Sequence, residues 1–109
     1  GVFSGFPVTV AGKTGTGQDL GHNKDGSKKG DTSWFSSFAP VEDPQYAVVM
    51  VVSQGGFGAS VSAVGVRDIY AALYGVTGGK IDPTNQIFPN GVPSKLPKVD
   101  PKNAKLATP

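Results

Sequence analysis

Six consecutive residues, Lys13-Thr14-Gly15-Thr16-Gly17-Gln18, carry the groups in this chain best suited to binding chemistry. A lysine ammonium offers a positive charge and three hydrogen-bond donors. Thr14 and Thr16 are two apart, so on an extended strand both hydroxyls face one side and Lys13 faces the other, unless the strand twists. Glycine carries no side chain, so at Gly15 and Gly17 a ligand can lie directly against the backbone. A cation, two hydroxyls and bare backbone together suit a carboxylate, held on the edge of a sheet. Two other glycine-rich chemistries fit poorly. A phosphate-binding P-loop ends in Gly-Lys-Thr, as here, but the position five before Gly12 is Pro7 and no helix is predicted to follow. A dinucleotide fingerprint starting at Gly15 has the wrong spacing and also lacks its helix.

The elements that position this stretch can be read from the flanking sequence. Residues 7–16 form the first strand candidate, and residues 1–5 read as a loop. Residues 19–30, DLGHNKDGSKKG, are polar and glycine-rich and predict a mobile loop between two strands. The single histidine, His22, lies in that loop without a visible partner and reads as a solvated side chain. Residues 32–39, TSWFSSFA, form a second strand whose aromatics Trp34, Phe35 and Phe38 read as core packing, and Pro40 ends it. Residues 46–52, YAVVMVV, form a third strand, uninterrupted in its apolar character, a pattern that predicts burial on both faces. A glycine-rich break at 54–58 leads into a helix over 60–74. Its apolar face is Val66, Ile69, Tyr70 and Leu73, its expected N-cap Ser60, and Gly75 is suited to end it. From Val76 onward nothing is periodic and an extended or disordered tail is predicted, with Ile81, Ile87, Phe88 or Leu96 available to pin it to the body.

Three strands in meander order and one helix cover one face of a sheet, whereas the third strand calls for two. Apolar burial stabilises by roughly 25 cal/mol per Å², so a bare central strand forfeits several kcal/mol and invites association. The chain is therefore expected to be part of a larger domain, or else to dimerise through that face.

Composition narrows the function classes. With 109 residues the chain holds at most one small domain. Six of the nine prolines lie from Pro83 onward, and from Val76 there are five lysines against two aspartates, so the +2 net charge belongs to the tail. No basic patch interleaved with aromatics is present to bind nucleic acid. The absence of cysteine excludes disulfides and thiolate metal sites. No apolar run approaches the roughly 20 residues of a membrane span, and no signal peptide is visible. The chain starts at Gly1 rather than Met, which reads as a cut-out or processed piece.

Ala11-Gly-Lys-Thr-Gly-Thr-Gly-Gln18, a variable loop, then Asp31-Thr-Ser-Trp-Phe-Ser-Ser-Phe-Ala-Pro40, then Tyr46-Ala-Val-Val-Met-Val-Val52, a glycine break and a helix follow one another in that order. Lys-Thr-Gly is a signature of penicillin-binding proteins and serine β-lactamases. The whole order, over residues 5–75, closely resembles the C-terminal end of the transpeptidase domain of a class B penicillin-binding protein. Gln18 and the Trp-Phe-x-x-Phe-Ala-Pro string favour class B, and the Pro/Lys tail is similar to that of actinobacterial elongation-type members.

The resemblance implies a partial α/β (α+β) fold of three antiparallel strands and a C-terminal helix, with residues 1–75 in the transpeptidase domain and 76–109 its tail. It implies acyl transfer between peptidoglycan stem peptides, β-lactam antibiotics as inhibitors, and no cofactor or metal. The remainder of the transpeptidase domain is an implied partner. The longer protein is expected to be membrane-anchored, on the extracytoplasmic face of a bacterial membrane. Lys13 then sets the electrostatics around the nucleophile and the substrate carboxylate, and the hydroxyls of Thr14 and Thr16 bind that carboxylate. The Thr16 N–H serves as one oxyanion donor, Gly15 and Gly17 let the acyl group lie along the strand, and Gln18 lines the site. The family's nucleophile sits in Ser-x-x-Lys, and its second signature is Ser-x-Asn. Neither is found here: Ser27, Ser33 and Ser60 lack a lysine three residues on, and Ser94-Lys95 has the wrong spacing. The chain is thus expected to be inactive alone. Two non-enzymatic alternatives are a binding module that keeps the carboxylate cradle and an interaction piece that lends a strand or helix face to a partner.

Overall fold

The computed structural model describes residues 1–18 and 20–87. Strands β1 (Ala11–Gly17), β2 (Thr32–Ala39) and β3 (Tyr46–Val52) form one antiparallel sheet in the order β1-β2-β3. Helix α1 (Ser62–Tyr74) packs on one face of it. A two-residue hairpin, β4 (Val76–Thr77) and β5 (Lys80–Ile81), and a 3₁₀ turn (Pro83–Asn85) follow. This is the partial α/β architecture, three antiparallel strands and a helix, that the resemblance implies.

The side-chain period of two decides which residues enter the core. On β2, Ser33, Phe35, Ser37 and Ala39 are buried, while Trp34, Ser36 and Phe38 face the other way and stay exposed. Phe35 and Ala39 meet Ala63, Val66, Tyr70 and Tyr74 of α1, with Val48 and Met50 of β3 alongside. Three serines, Ser33, Ser37 and Ser62, are buried here, and all are paired, as buried polar groups must be. Ser37 Oγ donates to Val48 O at 2.8 Å and lies 2.9 Å from the Tyr70 hydroxyl. Ser33 Oγ is hydrogen-bonded to Ser62 Oγ.

The chain start belongs to the core as well. The Phe3 ring stacks on Phe35 with centroids 5.9 Å apart and meets Phe6 and Tyr70 edge-on. Val8 is buried, and Thr9 Oγ1 donates to the Glu42 carboxylate at 2.6 Å, which holds that carboxyl below its usual range. These contacts explain why residues 7–10 are irregular where the sequence predicts a strand. Val8 turns into the core, and Thr9 is tied to the β2–β3 turn.

Other expectations also need correction. Trp34 and Phe38 are not core residues; each is more than two-fifths exposed on the face opposite α1. The central strand is β2, and β3 is an edge among the described strands, half-buried on one face and exposed on the other. Helix α1 starts at Ser62, not Ser60: the Ser60 hydroxyl donates to Phe57 O at 2.8 Å in the preceding turn, and no side chain of residue 61 caps the helix. Instead Ser62 N donates to Ser33 Oγ at 3.3 Å and Ala63 N to Gly58 O at 3.0 Å, so two of the orphan N–H groups of the first turn are satisfied from outside the helix. Ile69 lies on the exposed flank, and the buried stripe is Ser62, Ala63, Val66, Tyr70 and Tyr74. Gly75 ends the helix in the left-handed region, as expected.

The loop before β2 contains a small turn in which Asn23 N donates to Ser27 O at 2.7 Å and His22 pairs with Lys28 through the backbone. His22 itself is exposed. Past the helix, Gly78 and Gly79, both at positive φ, close the β4–β5 hairpin where the sequence predicts a structureless tail. The segment is pinned by backbone, with Asp82 N on Gly75 O at 2.8 Å and Ile87 N on Ala72 O at 3.3 Å, while the Ile81 and Ile87 side chains stay exposed. Asp19, Phe88, Ser94, Lys95, Leu96 and the rest of the Pro/Lys tail lie outside the described residues.

The Tyr74 hydroxyl is buried between Tyr46 and Tyr70, 3.3 Å from Ala39 O. Burial, and then the charges of Tyr46 and Tyr70, push its pKa up to about 12. The neutral phenol is thus favoured in the folded state. This contribution to stability is fully present below the ordinary tyrosine value near 10 and is lost as the pH rises through about 12. An absorbance titration of the folded protein should show a late phenolate step that Tyr74→Phe abolishes. Ionisation of all three tyrosines in one step near the ordinary value would contradict the packing.

Candidate functional site

Cross-strand pairing fixes the faces of β1. Thr14 lies opposite Phe35 and Thr16 opposite Ser33, both buried partners, so the two threonines take the α1 side. Lys13 lies opposite Ser36 and Gly15 opposite Trp34, on the open side. The expected separation of hydroxyls from lysine therefore holds in the strand register.

The phase of the ladder follows from two close approaches. A Cβ on Gly12 would stand 3.1 Å from Ser36 O. One on Gly58 would stand 2.8 Å from Trp34 O and 2.7 Å from Gly15 O. The Ser36 and Trp34 carbonyls thus point toward β1, which makes Lys13–Ser36 and Gly15–Trp34 the hydrogen-bonded pairs. Antiparallel pairing alternates, so the N–H and C=O groups of Thr14 and Thr16 face away from β2. They lie on an edge that no described strand covers. Lys13 Nζ bends to this edge and donates to Thr14 O at 2.9 Å.

Lys13 and Thr16 are exposed and Thr14 half-buried, and Gln18 follows the strand, exposed. The strand brings two hydroxyls, one ammonium and two outward-facing backbone amides into the four residues Lys13 to Thr16. This arrangement can bind an anion: the amides and hydroxyls donate to its oxygens, and the ammonium supplies the balancing charge. Among the described residues no cluster of histidine, aspartate or glutamate could hold a metal ion.

Sequence reasoning missed one feature of the site. On the open face, Gly15 and Gly17 lie beside Trp34. A Cβ on Gly15 would stand 3.4 Å from Trp34 Cβ, and one on Gly17 3.3 Å from Trp34 Nε1. The indole thus lies along the bare backbone of β1 on the open face, in contact range of both positions. The cross-strand pairing of a large aromatic with a glycine was the available signal. Ala11, Gly12, Lys13, Ser36, Ser37, Phe38 and Val49 surround a depression of about 430 Å³.

Comparison with known proteins identifies the family of the chain. Residues 4–71 match the model of the penicillin binding protein transpeptidase domain, a stretch that includes all of β1, β2 and β3 and most of α1. An alignment 72 positions long, which covers 61% of the chain, shows 36% identity to the peptidoglycan D,D-transpeptidase PbpA of Mycolicibacterium smegmatis. It covers only 14% of the length of PbpA. No solved structure matches the chain. The family model covers more than half of the sequence and takes in the whole sheet with its exposed threonine edge, and on that ground the chain belongs to the penicillin-binding protein transpeptidase domain family, a family of peptidoglycan-building enzymes.

Proposed function

We propose that this chain is the C-terminal part of the catalytic domain of a longer D,D-transpeptidase, and that β1 is the strand against which its acyl group is held. One observation carries the reading: within the stretch that matches the family, the backbone amides of Thr14 and Thr16 face an uncovered edge, beside their own hydroxyls and the Lys13 ammonium.

In this reaction a serine Oγ from the remainder of the domain attacks the carbonyl between two D-alanines of a stem peptide. The Thr16 N–H donates to the oxygen as it gains charge. The C–N bond breaks, a proton goes to the departing D-alanine, and an ester to the serine remains. An amine of a neighbouring stem then attacks that ester, forms the cross-link and returns the proton to the serine. The hydroxyls of Thr14 and Thr16 hold the terminal carboxylate, and Lys13 offsets its charge. A β-lactam, which carries a carboxylate and a strained amide, acylates the same serine. Because the substrate lies outside the cytoplasm, the longer protein works on the extracytoplasmic face of the membrane and is anchored there. Among the described residues no helix is long and apolar enough to cross a membrane.

Intact-mass measurement after incubation with a labelled penicillin tests this. The longer protein should gain one adduct, and the isolated 109-residue chain none. An adduct on any serine of the isolated chain would place the nucleophile here and overturn the partition. No adduct on the longer protein would favour a non-catalytic carboxylate-binding module.

A further inference from the structure

The α1 side of the Gly15–Trp34 pair is bare backbone, because both side-chain positions point to the open face. The segment between β3 and α1 sits down on this spot. Gly58 is buried there, its missing Cβ 2.7 Å from Gly15 O, 2.8 Å from Trp34 O and 3.4 Å from Gly15 N. All three are backbone atoms, so nothing at the contact can swing aside. The segment is held down at three places. Gly56 N donates to Asp31 O at 2.9 Å, Ala63 N to Gly58 O at 3.0 Å, and Ser62 reaches Ser33 through both its N–H and its hydroxyl. Ser33 is the cross-strand partner of Thr16.

Residues 58–62 therefore touch the backbone on one side of the Thr14–Thr16 edge and the residue opposite Thr16, without reaching the edge itself. We propose that Gly58 and the Ser33–Ser62 pair are positioning residues, which set the height and tilt of β1 so that the Thr16 amide meets the reacting carbonyl. This rests on the role assigned to β1 above. The physical basis is steep: a misplacement of about 1 Å in a reacting geometry can cost on the order of a hundredfold in rate. A methyl on Gly58 forces a displacement of several tenths of an ångström between the segment and the strand pair. The φ of Gly58 is outside the left-handed region, so Gly58→Ala changes only the space and not the backbone preference.

The test uses the longer protein, with the non-covalent affinity for a labelled penicillin and the acylation rate constant of the bound complex measured separately. Gly58→Ala should slow acylation by roughly ten- to a hundredfold, with a smaller loss of affinity. Gly30→Ala is the control, since its Cβ makes only an ordinary 3.4 Å contact with Gln54 O, and it should leave the rate unchanged. The double variant Ser33→Ala, Ser62→Ala removes both hydroxyls and also leaves the Ser62 N–H without its acceptor, so it should melt earlier than the wild type. Assayed below its melting transition, it should slow acylation by roughly three- to tenfold. A Gly58→Ala protein that melts earlier but acylates at the wild-type rate would show that the seat serves stability alone. If Gly58→Ala does not fold, the double serine variant decides, and an unchanged rate in it overturns the proposal. A wild-type protein that takes no penicillin would instead remove the functional reading beneath it.

Discussion

Thr16→Ala in the longer protein should slow acylation by a carboxylate-bearing penicillin by roughly ten- to a hundredfold. The substitution removes the hydroxyl and keeps the N–H. A hydrogen bond to a charged group is worth about 1.5–3 kcal/mol. Thr16→Pro also removes the N–H and should cost a further ~2.7–4 kcal/mol, the value of one oxyanion donor. The fold makes this second variant informative. The Thr16 N–H faces away from β2, so proline there breaks no ladder hydrogen bond, and edge strands tolerate it on that side. Gly15→Pro, whose N–H faces β2, should instead disrupt the sheet. A substrate without the carboxylate should be nearly indifferent to Thr16→Ala but remain sensitive to Thr16→Pro. Equal slowing of both substrates by Thr16→Ala would show that the hydroxyl does not read the carboxylate.

The second large effect concerns the open face of the sheet. Trp34, Phe38, Val49 and Val51 lie there, with Val49 60% exposed. The chain spans a small fraction of the PbpA length, and the remainder of the domain is the expected cover. The isolated chain should therefore self-associate and bind a hydrophobic dye strongly. Val49→Lys should have opposite effects in the two settings. In the isolated chain it places a charge on an exposed patch and should reduce association. In the longer protein it buries an uncompensated charge and should destabilise by about 3–5 kcal/mol. A dye-silent, cooperative monomer of the isolated chain, or a longer protein that tolerates Val49→Lys, would show that the face is not an internal interface.

How legible this was in the sequence differs from element to element. Strands β2 and β3 follow from their β-branched and aromatic runs and match residue for residue. The unbroken apolar run of β3 predicts burial on both faces, whereas among the described residues one face is half-buried and the other exposed. The start of β1 and the start of α1 are not legible, because contacts distant in sequence decide them: Thr9 with Glu42, and Ser62 with Ser33. The β4–β5 hairpin is different. Its Gly78-Gly79 turn between β-formers is a local signal, masked by the proline- and lysine-rich composition around it. At the candidate site, period-two alternation is enough to put Thr14 and Thr16 on one face. The outward phase of their amides, the indole over Gly15 and Gly17, and the seat of Gly58 depend on pairing between segments, which no local pattern encodes.

The central claim is that the Thr14–Thr16 edge of β1 holds the reacting acyl group. A crystal structure of the penicillin-acylated longer protein tests it most directly. The acyl carbonyl oxygen should lie about 2.7–3.1 Å from Thr16 N, the spacing of an oxyanion donor, with the penicillin carboxylate hydrogen-bonded to the Thr14 or Thr16 hydroxyl. An acyl group seated away from this edge, with the Thr16 amide bonded only to solvent, would contradict the account.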